Sequence, residues 1–137
     1  MLLKRAVALL ALLWLSFASS AQVSVIVHPS NTSAIDSKNV QRIFLGKDKK
    51  FANGSEIVAL NLTPDSDARA YFDENIVGRS TSQVSAYWSK LVFTGKGIPP
   101  KEVASDQEVI DLVSQNPAII GYVSTASVTD AVKVVEL

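Results

Sequence analysis

Apolar residues run almost unbroken from Ala6 to Leu15, and from Val23 onward they break into short blocks separated by polar turns. The first block follows Lys4 and Arg5 and precedes the small residues Ala18-Ser19-Ser20-Ala21. A charged start, a short apolar stretch and a small-residue end are the three parts of a secretory signal peptide. The stretch is about ten residues long, and a membrane-spanning helix needs roughly 20. The pattern predicts a cleaved signal over 1–21 and a mature domain over 22–137. Cleavage after Ala21 would leave Gln22 first and nothing inserted in the membrane.

Val23 to Val27 reads as a strand, with Ser24 its one polar residue. A run this apolar suggests burial on both faces, as in a parallel sheet. Asp36 or Ser37 can cap a helix that carries Val40, Ile43 and Phe44 and stops at Gly46. Ile57 to Leu60 is a second strand. The next helix starts at Ser66, or at Asp65, repeats Ala68, Phe72 and Ile76, and ends at Gly78. Ser80 with Gln83 is a capping-box pattern. Behind it Val84, Tyr87, Trp88, Leu91 and Val92 form one apolar stripe that stops at Gly95. Ser105 with Glu108 is a second such box, opening a helix that Asn116-Pro117 ends. Ala118 to Val123 and Val132 to Val135 complete the strands. The reading is an α/β domain, a mixed sheet of about four strands flanked by about four helices.

Composition narrows the chemistry. The chain has no cysteine and only one histidine, His28. Disulfides, thiolate metal sites and cysteine nucleophiles are excluded, and a multi-histidine metal site is too. Without Lys4 and Arg5, the 13 Lys and Arg fall to 11 against 13 Asp and Glu, a net charge near −2. No basic patch calls for nucleic acid, and nothing in the balance favours an anionic membrane. No poised catalytic constellation and no cofactor motif stands out, so the chain reads as a non-enzyme.

Ile43-Phe44-Leu45-Gly46-Lys47, then Phe51, Gly54 and the strand at Ile57, resemble a segment of the phosphate-type periplasmic solute-binding proteins of ABC transporters. Ile120-Gly121-Tyr122-Val123 resembles that family's "IGYV" strand. The resemblance covers most of Val23 to Val123 and implies a single-lobe, periplasmic-binding-protein-like fold and a periplasmic location. Family members have two lobes closing on a cleft, and only one is matched here. A second chain would have to supply the other wall, and an ABC transporter permease is the implied partner.

In that family a Ser-Gly-Thr loop at a helix N-terminus holds the anion. The matching place here is Ser66-Asp67-Ala68, followed by Arg69. Free backbone N–H groups and the positive helix end favour an anion there. The glycine and the threonine are replaced by Asp67 and Ala68, and Leu62 stands near the position of a family arginine. Ser66 could equally be an ordinary helix cap. Arg69 could point at the anion or form a surface pair with Asp65 or Asp73. Ser30, Asn31, Thr32 and Ser33 follow the first strand and are expected on the same rim as Ser66, lining half a site, unless they are simply loop polarity. His28 is expected to be structural. Tyr87 and Trp88 read as core, and Lys47, Lys49 and Lys50 as a solvated loop with partner docking the minority reading. The implied function is an exported binding protein for a small phosphate-like oxyanion. The alternative is a degenerate lobe that serves as a protein-interaction module without solute.

Overall fold

A computed structural model describes residues 22–137; the expected signal segment, 1–21, lies outside the described residues. In chain order the elements are β1 (Val23–Val27), α1 (Ser37–Phe44), β2 (Val58–Leu62), α2 (Asp67–Phe72), α3 (Thr81–Phe93), β3 (Lys101–Val103), α4 (Asp106–Gln115), β4 (Ile119–Ser124) and β5 (Lys133–Val134). A π-helical turn, Asp73–Val77, continues α2, and a 3-10 turn, Thr125–Ser127, follows β4. Five strands make one mixed sheet in the order β3-β2-β4-β1-β5.

β2 runs parallel to β3 and β4, whereas β1 is antiparallel to both β4 and β5. The parallel setting expected for β1 is therefore wrong, although Val25, Ile26 and Val27 are buried as expected. Burial on both faces comes from the helices that cover the sheet, not from strand direction. β4 makes this plain. Tyr122 stacks on Phe72, with ring centroids 3.8 Å apart, while a Cβ on neighbouring Gly121 would lie 2.7 Å from Val109 Cγ1. Successive strand residues face opposite sides, so the α2 segment packs on one face and α4 on the other. Phe44 closes the aromatic cluster edge-on against Phe72, at 4.7 Å between centroids.

The helix starts follow their capping residues. Asp36 caps α1 in a box with Asn39, and Ser80 caps α3 in a box with Gln83. The second box expected at Ser105 is only half formed. Ser105 accepts from the Glu108 N–H, but the Glu108 carboxylate accepts from the Ala104 N–H at 3.4 Å. The stripe of α3 is also shorter than its periodicity implied. Val84 and Trp88 are buried, but Val92 is half exposed and its neighbour Phe93 is 93% exposed. β3 was not expected: it is a three-residue edge strand, Lys-Glu-Val, too short to show any alternation.

Candidate functional site

β2 ends at Leu62, and Thr63 to Asp65 turn the chain into α2 at the carboxyl edge of the parallel strands. Ligands in open α/β sheets favour this edge. Ser66 has extended backbone and its hydroxyl accepts from the Arg69 N–H at 3.2 Å. The Ser66 hydroxyl is thus an N-cap in this structure. The next two peptide N–H groups, of Asp67 and Ala68, have no acceptor among the described residues. First-turn amides have no intrahelical partner by construction, so these two remain uncommitted within the fold. Asp65 and Asp67 are exposed beside them. The Asp65 carboxyl is held below the ordinary range by the Thr63 hydroxyl and by its own backbone N–H.

Arg69 is not a surface residue. It is 3% exposed. Its Nε donates to Asp73 Oδ2 at 2.7 Å and its Nη1 to the Leu62 carbonyl at 2.8 Å, with Glu102 Oε1 at 3.8 Å. Of the two carboxylates considered from sequence, Asp73 is the partner, but the pair is buried rather than exposed. Burial raises the Asp73 pKa above its ordinary value, while Arg69 and then Thr81 pull it back. The guanidinium ties the end of β2 to the end of α2. It can thereby hold the α2 start in position, with two of its five N–H donors engaged by Asp73 and Leu62.

The loop after β1 lies elsewhere. Val27 pairs with Ile120, at the beginning of β4, and Val58 at the beginning of β2 pairs with Ile119. Ser30, Asn31 and Thr32 therefore leave the sheet at the end opposite Ser66, and the shared rim expected for them is a casualty of the antiparallel β1. Their contacts are local. The Ser30 N–H donates to His28 Nδ1 at 3.0 Å, the Ser33 N–H donates to Asn31 Oδ1 at 2.9 Å, and Lys133 Nζ donates to the buried Asn31 carbonyl at 3.0 Å. His28 organises that turn.

The hydroxyls that do share the α2 edge follow β4. The Ser124 N–H and Ser127 hydroxyl donate to Asp106 Oδ2 at 3.1 and 2.7 Å, and Ser24 and Thr125 hydroxyls lie 3.0 Å apart. Sequence reading missed this cluster, although Ser124-Thr125-Ala126-Ser127 directly after a strand was its visible signal. Beneath the edge, the Tyr122 hydroxyl donates to Asn61 Oδ1 and accepts from the Leu62 N–H at 3.3 Å. Burial raises the Tyr122 phenol well above its ordinary pKa. Tyr87 and Trp88 pack inward as expected: the Tyr87 hydroxyl donates to the Leu45 carbonyl at 2.6 Å, and Trp88 lies over Gly46. Among the described residues, no group of three or more acidic or histidine side chains is placed to hold a metal, and no helix is long and apolar enough to cross a membrane. The edge offers hydrogen-bond donors and charged side chains.

No protein-family model and no curated protein matches this sequence. Solved structures do match its fold. An ABC-type phosphate transport receptor from Vibrio cholerae superposes with a TM-score of 0.64 at 18% identity, over 83% of this chain and 45% of the receptor. A phosphate ABC transporter substrate-binding protein from Clostridium perfringens, solved with bound phosphate, gives 0.67 at 22% identity, over 83% of this chain and 44% of that one. PstS from Borrelia burgdorferi gives 0.61 at 16%, over 83% and 46%. The chain thus has a periplasmic-binding-protein-like α/β fold and spans less than half the length of each of these proteins, consistent with one lobe.

Proposed function

We propose that this chain, folded like one lobe of a phosphate receptor, is an exported, non-catalytic binding protein that meets a small phosphate-like oxyanion at the start of α2. The observation that carries the reading is the pair of unpartnered peptide N–H groups of Asp67 and Ala68 at the carboxyl edge of β2. Two such donors at the positive end of a helix suit an oxyanion. They are few, and Asp65 and Asp67 oppose them. A second wall, from another chain or an ABC transporter permease, would complete the shell. Amide NMR of residues 22–137 tests this directly. Titration with phosphate and then sulfate is expected to give saturable shifts centred on Asp67 and Ala68. No localised shift at millimolar phosphate would refute the reading. Export is checked separately: the periplasmic form should begin at Gln22, and an uncut Met1 would argue against it.

A second reading is favoured by Arg69. With its Nε and Nη1 donors engaged by Asp73 and Leu62, the Arg69 guanidinium is held within the fold, and the lobe can serve as an interaction module without solute. A partner that copurifies from periplasm and comigrates in gel filtration, with phosphate having no effect on the complex, would select this reading.

A further inference from the structure

A groove beside the first half of β2, away from the edge that leads into α2, gathers Lys47, Lys49, Lys50, Lys96 and Lys101. The lysines come from two separate segments, the loop after α1 and the stretch from the end of α3 to the first residue of β3. Residues 22–137 hold 11 Lys and Arg against 13 Asp and Glu. Five of those 11 line this one groove, which contains only two acids, Asp48 and Glu56. Asp48 is already paired with Arg42 at 2.9 Å, and none of the five lysines makes an ion pair among the described residues. The groove is therefore strongly positive on a domain that is otherwise negative. Five convergent like charges repel one another, and an anionic occupant relieves that repulsion.

The walls between the lysines are apolar. Leu91 is half buried there, and Ile98 is 91% exposed beside Pro99. The volume is about 1000 Å³, the upper end of the roughly 300–1,000 Å³ usual for small-ligand pockets, so a chain segment fits it better than a single small solute. A recess with an apolar floor and a cationic rim is also poorly matched to a flat bilayer surface.

We propose that this groove docks an acidic, extended segment of a partner protein, seating one large apolar side chain against Leu91 and Ile98 while flanking carboxylates meet the lysines. The site is independent of whatever the α2 edge binds.

The test is an amide NMR titration of residues 22–137 with a short synthetic peptide of Asp and Glu carrying one central Phe. Saturable shifts are expected over 47–50 and 95–101, with no comparable change at Asp67 or Ala68. Raising salt from about 0.1 to about 1 M shortens the screening length from about 10 to about 3 Å and should weaken binding. The double variant Lys49→Glu/Lys50→Glu and, separately, Ile98→Asp change exposed residues and should each weaken it about tenfold. Unchanged affinity in both variants would overturn the proposal, as would the absence of saturable shifts. So would the same shifts with inorganic phosphate alone, or with vesicles of phosphatidylserine and phosphatidylcholine when the peptide gives none.

Discussion

The Tyr122 hydroxyl clamps the end of β2 by accepting from the Leu62 N–H and donating to Asn61. Because burial raises its pKa, the folded chain keeps this proton above pH 10, where the unfolded chain releases it. Its contribution to stability is full below about pH 10 and declines as pH rises further. The chain has three tyrosines, and in an alkaline absorbance titration the Tyr122 phenol is expected to ionise only when the domain unfolds. Full ionisation of all three in the folded state would contradict this. The Arg69–Asp73 pair makes a second prediction at the same scale. Arg69→Met leaves Asp73 buried alone and should cost about 3–5 kcal/mol in denaturant unfolding, while Arg69→Met/Asp73→Leu should recover most of it. Equal losses for the single and double variants would show that the cost does not come from an unpaired Asp73 carboxylate. Sequence spacing revealed that Arg69 and Asp73 could meet. It did not reveal their burial, because an i, i+4 pair has the same spacing on a surface as in a core.

At the scale of elements, helix starts were legible because caps are local chemistry: Asp36, Ser66, Ser80 and Ser105 all sit where their side chains reach the first turn. Strand direction was not, because Val23 to Val27 reads the same in either orientation. That one ambiguity moved Ser30 to Thr32 to the wrong end of the sheet. β3 was invisible because its pairing with β2 is a tertiary event that leaves no pattern in three residues. The stop of α1 is a sharper case. Gly46 has φ +70°, and a Cβ there would meet Trp88 Cη2 at 2.7 Å. Gly95, at φ +68°, has nothing within 4 Å of a Cβ. Gly95→Ala should cost about 1 kcal/mol from backbone strain alone, and Gly46→Ala about 1–3 kcal/mol more from overpacking. Trp88 is the one tryptophan in 22–137, so its fluorescence reports the disturbance. Identical losses for the two variants would mean that Trp88 gives way freely.

At the scale of the whole molecule, the lobe separates two electrostatic characters: acidic where α2 begins, basic around the groove at Lys47 to Lys50. The first governs how well a lone lobe can hold an anion. A like charge about 4 Å away costs about 1 kcal/mol in water, or roughly fivefold in affinity. Asp65→Asn and Asp67→Gly should therefore each tighten phosphate binding about fivefold in calorimetry, and a loss of binding in either would mean that these carboxylates assist rather than oppose. The reversed β1 has a further effect on such experiments. Because it runs against β4, its first residue meets the last of β4: the Thr125 N–H donates to the Gln22 carbonyl at 2.9 Å. A group attached at Gln22 therefore sits beside the edge where α2 begins. A purification tag there would crowd that edge, whereas a small fluorophore in the same place would become a built-in sensor of its occupancy.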